Sequence, residues 1–555
     1  MSNTLLASKF TTILGLSVFT TLLLLLYVLA GPSRNANTDH IESRDQLLTF
    51  ASYANLQTIQ PDTDERWPHR IYKSSPFKPP LLNITRYGGD LADGVFFLTP
   101  KSKLLRIAQE LPLIMSQEND LVFAFANSSS IEGGFHGFHP HDVNGKPFLS
   151  IWFGTLVLGH GYGKLTILDD EYNEREISLQ TNIVPTIEGA TVGLIDYHEH
   201  QMTERGTMLV TAFNSTPYDL SPVGGRSDGH VTDSLFYEID VASNKVIFSW
   251  SALDHFNITQ SRLPLPCYMS DGSRRLGYDF FHINSVQAIG DYFLISSRHQ
   301  WTLYLISRQT GRVVWGLDGG RQNMNLSWPL PEGRFSWQHH ARAFNFSDQG
   351  FVLSVFDNHN APFDTDKVSS RALLFDVLLG IRRTETPTLL HRLEAPKAIF
   401  SQTQGSYVSA LENGNQLIGH GSIPVIREYG PGNCSSDVRS EIRFGSDNGT
   451  QFYRAFKKPW KATPKSWSPS LVIERSVHNE LKLYVSWNGA TEVTHWIVYA
   501  VDPSTDHKAI GIAVKRGFET VIEIPHSVSG IQCMIVAAVQ EGVQIRQSNQ
   551  ACLAT

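Results

Sequence analysis

An all-β fold follows from three features of the 555-residue sequence. Its 42 Gly and 27 Pro punctuate short apolar runs at turn spacing. Only 18% of its residues are charged, against about 25% for an average soluble domain. No sustained helical stripe occurs outside residues 10–31 and the short stretch 102–109. With 41% hydrophobic residues the chain can bury a sizeable core, which excludes a disordered or coiled-coil protein. A net charge of −7 is too dilute over this length to make a nucleic-acid surface. The lack of strand–helix alternation excludes a doubly wound sheet.

The elements run in this order. After a short tail, residues 1–9, the segment 10–31 holds 22 residues without a charge. As a helix it would be about 33 Å long, enough for a hydrocarbon core of about 30 Å. It is a transmembrane signal anchor, or a signal peptide cut after Ala30, where Val28 and Ala30 are small enough for the peptidase. Both readings send the rest of the chain out of the cytosol, membrane-anchored or secreted, with its folded part luminal or extracellular. Residues 32–80 are a leading linker. Eight Asn-x-Ser/Thr sequons agree with that route, at Asn83, Asn127, Asn214, Asn257, Asn325, Asn345, Asn433 and Asn448. About half as many are expected by chance from composition.

Residues 81–460 repeat one grammar: an apolar strand, a turn, a second strand and a short charged turn. The clearest copy is Gly290 to Leu317, "GDYFLISSRHQWTLYLISRQTGRVVWGL", a three-strand meander. Further copies span Gly206 to Trp250, Gly350 to Val377, Gly414 to Gly430, Gly94 to Ala126 and Pro147 to Leu179, which makes six units. Meanders of this size, each with apolar faces that need a neighbour, build radial propellers, so the expected architecture is a six-bladed β-propeller. The same strands could instead stack as sandwiches. After the linker 461–470, residues 471–555 show alternating strands about 20 residues apart, a C-terminal Ig/fibronectin-III-like β-sandwich. The four cysteines lack a C-x-x-C pair, which argues against a zinc cluster, and Cys533–Cys552 is the preferred of the open pairings.

Three His-bearing segments stand just upstream of inner strands: "DYHEHQMTERGTMLVTA", "FFHINSVQAIGDYFLISSRH" and "FSWQHHARAFNFSDQGFVLSVFDN". In each, a His lies 9 to 15 residues before the strand's central apolar residues, so a rotational array points the imidazoles at one axis. A lone His in a β protein is more often a satisfied polar residue than a catalyst. Three at matched positions, together with Arg298, form a donor-rich set, and Asn284 shares a strand face with His282. Asp196, Glu199 and Asp357 are acids that could orient imidazoles. Such a pocket suits transfer of an anionic group whose charge sits on three oxygens, phosphoryl or sulfuryl, with His available as nucleophile. No P-loop, GxxxxGK(S/T), is present to hold a nucleotide donor.

At these residues the chain resembles the arylsulfotransferase (ASST) family, in particular its fungal branch. The matching motifs include "YHEHQMT", "VGGRSDGHVTDSLFYEID", "FHINSV", "ISSRHQ", "WQHHARA", "LSVFDN", "YRAFKKPW" and "YVSWNGATEV". The resemblance implies a transferase that moves a sulfuryl group from a phenolic sulfate ester to an acceptor phenol through a sulfohistidine, independently of PAPS and without cofactor or metal. It implies catalytic roles for His339 as nucleophile, with His340 the alternative, and for His282, His198 and Arg298, with His200 the alternative to His198. Asn284 and Asn358 are implied in substrate binding. The expected partners are small: a phenolic sulfate donor, a phenol acceptor, the membrane through the N-terminal helix, and no nucleic acid, with a homo-oligomer left open. Bacterial members carry a separate N-terminal domain and no anchor, unlike this chain. A second reading, from another class, is a non-catalytic glycosylated propeller that binds a ligand or protein partner. Sulfatase action, with water as acceptor, is a third.

Overall fold

The computed structural model describes residues 47–60, 66–102, 107–126, 133–188, 192–320, 325–365, 367–380, 385–447, 449–476, 478, 480–501, 507–528 and 530–553. The predicted membrane segment 10–31 and the sequons at Asn127 and Asn448 lie outside them. Among the described residues there is no α-helix, only four three-residue 3-10 turns, and no helix is long and apolar enough to cross a membrane. The described part of 102–109 is not helical either. The chain divides into two compact units: residues 57–71 with 77–462, and the residues around 47–56, 72–76 and 463–555.

Among the described residues the larger unit holds six antiparallel sheets of four or five strands in chain order, each overlapping one of the six sequence units, and two further two-stranded sheets. The fourth is representative: Ile283–Ile289, Tyr292–Ser297, Thr302–Ser307 and Val313–Asp318 pair in sequence. Its strands form because β-branched and aromatic residues alternate over a buried surface, and the turns fall where Gly290 and Gly311 adopt positive φ. The expected three-strand meander is therefore one strand short. The strand missed in every sheet is the first, and its polar sequence, as in "INSVQAI" or "HHARAFNFS", hides the apolar signal; the fifth and sixth sheets also extend past their sequence units, by Thr388–Glu394 and by Val438–Arg443 with Asn83–Arg86. Apolar cores run between consecutive sheets, for example Phe236 and Trp250 of the third against Phe293 and Ile295 of the fourth.

Two sheets combine strands from opposite ends of the unit. Phe456–Lys458 pairs with Val95–Leu98 in the first sheet, and Asn83–Arg86 pairs with Val438–Arg443 in the sixth. Beside these joins, the buried Lys457 Nζ lies 2.7 Å from Glu428 of the sixth sheet.

The smaller unit is a two-sheet sandwich. One sheet runs Leu48–Thr49, Lys508–Val514, His495–Val501, Cys533–Gln540, Val543–Gln547, and the other Ser52–Ala54, Glu519–Ile524, Leu481–Ser486, Ser470–Arg475. Leu481, Leu483 and Ile522 of one meet Trp496, Met534 and Val536 of the other in a common core. Residues 47–56, inside the segment expected to be a linker, thus supply two strands. The buried Glu519 carboxylate accepts hydrogen bonds from the Ser74 backbone and hydroxyl and from the Lys73 N–H, which ties 72–76 to this unit.

Cys533 and Cys552 form the predicted disulfide and Cys267 and Cys434 are free. The bridge closes a loop with a sequence separation of 19. Replacing both cysteines by serine is expected to lower this unit's unfolding free energy by about 3 kcal/mol, read from denaturant midpoints of the full chain.

Candidate active site

The heads of the first strands meet at one place. His136 lies in the first strand of the second sheet, and His198 two residues ahead of that of the third. His282 immediately precedes the first strand of the fourth sheet and His339 opens that of the fifth. Gln404 precedes Ser406–Val408 of the sixth, and Tyr453 precedes Phe456–Lys458 of the first. All six side chains line one cavity of about 740 Å³, together with Arg298 from the hairpin between the second and third strands of the fourth sheet.

His339 is held in a defined tautomer. The Asn358 amide donates through Nδ2 to the Ser401 and Gln404 carbonyls, so its Oδ1 faces the ring and accepts from His339 Nδ1 at 2.7 Å. The proton therefore sits on Nδ1, and Nε2 carries the lone pair, approached by the Gln404 backbone N–H at 3.2 Å. Burial, reinforced by the Arg298 charge, holds the ring well below the ordinary imidazole range, which keeps it neutral and nucleophilic.

The other two imidazoles are backed by carboxylates. His198 Nδ1 lies 2.6 Å from Asp196 Oδ2, which also accepts the His198 backbone N–H and the Thr211 hydroxyl. Burial alone would raise the Asp196 carboxyl, but the His198 ring and its hydrogen bonds outweigh that and hold it low. His282 Nδ1 lies 2.5 Å from Asp279 Oδ2, where burial raises the acid and lowers the ring. The rings of His198 and His282 are 4.8 Å apart, edge to face. His282 takes a left-handed backbone, φ 54°, and its carbonyl accepts the Arg298 N–H. That strain costs of order 1 kcal/mol and sets the ring at the cavity.

Arg298 is fully buried and makes no ion pair among the described residues. Its guanidinium donates to His299 Nε2 at 2.9 Å and to the Gln402 carbonyl at 3.0 Å, and stacks on Trp337, while Nε has no partner. An uncompensated buried cation in a cavity is a strong anion site.

The remaining sequence candidates fall elsewhere. His340 Nδ1 is held against the Tyr407 backbone, 3.1 Å from its oxygen and 3.2 Å from its nitrogen, and His200 is bonded to Ser150 Oγ and stacked on His139. Neither lines the cavity, and nor do Asn284 and Asn358. Asn284 Nδ2 donates to the Gln338 carbonyl, and Asn358 stands behind His339, so both brace the site. Of the acids expected to orient imidazoles, Asp196 does so for a ring of the cavity. Glu199 instead pairs with Arg342 and Arg454, and Asp357 with Arg371 and His359.

The profile of one protein family, described as Arylsulfotransferase (ASST), matches residues 139–439, just over half of the sequence. The chain belongs to the arylsulfotransferase family. No curated protein matches it significantly. Solved structures that match include hydrazine synthase of Kuenenia stuttgartiensis, at 10% identity and TM-score 0.28 over 55% of this chain and 79% of that one. Apo AztD from Citrobacter koseri matches at 10% and 0.28 over 78% and 100%. The periplasmic gluconolactonase PpgL of Pseudomonas aeruginosa matches at 10% and 0.27 over 73% and 99%.

Within the arylsulfotransferase match lie His198, His282, Arg298 and His339, whereas Tyr453 and His136 lie outside it. Tyr453 has a buried hydroxyl without a hydrogen-bond partner, and burial keeps it protonated, so it is a standing donor at the cavity wall. Its ring is 5.6 Å from His198 and 6.4 Å from His339. Its signal in the sequence was the motif "YRAFKKPW", which it opens, although no role was read from it there. Asp279, His282 and His299 bring one ligand atom each within 4.8 Å of one another. Because Arg298 donates to His299 Nε2, that ring's proton sits on Nδ1 and goes to the Asp279 carbonyl, so the set fits a hydrogen-bond relay better than a cation.

Burial also sets an acid limit. His139, His200, His282, His299, His339 and His340 are all held well below the ordinary value by burial, and His141 and His420 are lowered to about 3. In the unfolded chain each titrates near 6.5, so below that pH the unfolded state binds more protons and stability falls. Each histidine still neutral when folded contributes up to about 1.4 kcal/mol of loss per pH unit. Thermal unfolding is expected to drop from about pH 6.5 toward pH 4. A flat Tm over that window would contradict the buried neutral assignment.

Proposed function

We propose that the six sheets close into a six-bladed propeller and that the cavity at its axis transfers sulfuryl groups between phenols, independently of a nucleotide donor. The observation that carries this is His339 fixed with its lone pair on Nε2 in a cavity shared with the unpaired Arg298. The sulfate ester's oxygens lie against Arg298, His282 and the Tyr453 hydroxyl, and Nε2 of His339 attacks sulfur. The bond from sulfur to the aryl oxygen breaks and leaves His339 sulfated on Nε2. The departing phenolate takes its proton from His198, backed by Asp196. An acceptor phenol then gives its proton back to His198, attacks sulfur and restores His339. Asn358 keeps the Nδ1 proton in place throughout.

The test is release of nitrophenol from p-nitrophenyl sulfate with phenol present, together with an intact-mass gain of one SO₃ on the peptide carrying His339 after donor alone. Phenol-independent release would instead mark a sulfatase. Arg298→Ala is expected to lower kcat/KM by about 10² to 10³, with Arg298→Lys recovering little because an ammonium lacks the planar fork.

For location we propose export through the secretory route, anchored or cleaved at the apolar segment. Of the six described sequons, Asn83, Asn257, Asn325, Asn345 and Asn433 are exposed, as glycan attachment requires. Asn214 is half-buried and its amide is tied to Val184 and Thr216, which disfavours it.

A further inference from the structure

The cavity carries more positive charge than an aryl sulfate can answer. Its lining includes Arg298, Lys367, Lys397 and Arg443 against one carboxylate, Asp447. Arg443 is neutralised, Nη1 3.2 Å from Asp447 and Nε 2.6 Å from Glu441. Arg298 stands deep beside the histidines, where the ester sulfate belongs. Lys367 and Lys397 are exposed and make no ion pair among the described residues. They come from the segments on either side of the last two strands of the fifth sheet, so two independent stretches of chain bring the same charge to one rim.

Exposed apolar side chains stand in the same lining, among polar ones such as Gln402, Thr403 and Gln451. Leu156, Leu158 and Tyr268 are 41%, 46% and 51% exposed, and Phe400 stands three residues from Lys397. The cavity, about 740 Å³, falls in the range that holds drug-sized ligands, so it has room beyond a bare phenyl sulfate. A monoanionic ester on Arg298 leaves both lysines without an anionic partner among the described residues. Resting on the sulfuryl-transfer reading, we infer that the substrates are aryl sulfates whose ring carries a second anionic substituent, a carboxylate or sulfonate, held by Lys367 and Lys397 at the rim.

The experiment compares 4-sulfooxybenzoate with its uncharged isostere 4-sulfooxybenzamide on the full chain, as the ratio of their kcat/KM values. The ratio is expected to be about tenfold in favour of the carboxylate at low salt, since two water-exposed charge pairs near 4 Å together amount to about one order of magnitude. It should shrink as salt rises to about 1 M. It should fall to about one in a Lys367→Met, Lys397→Met double variant. The ratio within each protein absorbs any general loss of folding or rate in that variant. A wild-type ratio of one or less, or an unchanged ratio in the double variant, overturns the assignment. If neither ester turns over on the wild-type chain, the sulfuryl-transfer reading fails, and calorimetric binding of the same pair decides the rim separately. Tighter binding of the carboxylate ester supports it, and equal binding overturns it.

Discussion

His339→Asn will stop the sulfuryl transfer that p-nitrophenyl sulfate reports, lowering kcat by about four to six orders of magnitude. Asparagine keeps much of the side chain's volume and polarity but has no lone pair of comparable nucleophilicity to offer sulfur. The loss should appear in kcat, because Arg298, His282 and Tyr453 still line the cavity and bind the ester. Sulfation of the peptide should vanish with it. Because Asn358 Oδ1 fixes the Nδ1 proton, Asn358→Leu should lower kcat as well, while leaving the imidazole in place. Nitrophenol release that survives in His339→Asn would sink the nucleophile assignment, and the runner-up His340 could not rescue it from its bonds to Tyr407.

The largest expected effect on stability is at Glu199. Its carboxylate is wholly buried, 2.8 Å from both Arg342 Nη2 and Arg454 Nη1, and the Val286 N–H donates to it. Burial would raise this acid, but the two guanidinium groups lower it to about 2. Arg454 in turn donates to the Asn284 carbonyl. One carboxylate therefore joins the second residue after Tyr197 to the first strands of the fourth and fifth sheets and to the segment before Phe456–Lys458. Glu199→Gln strands two buried cations and should lower the unfolding free energy by about 3–5 kcal/mol, measured by denaturant midpoint. Apolar replacement of all three partners should recover part of it, since a well-packed hydrocarbon set avoids the desolvation cost. An unchanged midpoint would mean water reaches the trio.

Much of the fold was legible because apolar strands between glycine turns leave a period-two trace, and each of the six sequence units became a sheet. The first strands were not, since those of the second, fourth and fifth sheets carry His, Asn and Gln where a strand pattern needs hydrophobes. The site was legible through family motifs that place His198, His282, Arg298 and His339, and they do share one cavity. The partners that give those groups their chemistry were harder to see. Asp279 stands three residues before His282 and reaches its ring where His282 itself takes a left-handed backbone, which no pattern of residue types announces. Asn358 looked like a contact for substrate and is a brace for the nucleophile. Tyr453 opens the motif "YRAFKKPW", yet a tyrosine carries no charge or metal-ligand spacing that would set it apart from a packing residue.

The joins between opposite ends of the larger unit bear on how it is made. Strand Val95–Leu98 emerges early from the ribosome, yet its edge partner Phe456–Lys458 is translated hundreds of residues later. Strand Asn83–Arg86 likewise waits for Val438–Arg443. A nascent chain must therefore hold unpaired edges until synthesis is almost finished, a slow, high-separation closure that exposes it to aggregation. Chains that terminate before Tyr453 would leave the first sheet open and deprive the cavity of its tyrosine at once, so the closing of that sheet and the completion of the cavity wall wait for the same stretch of chain.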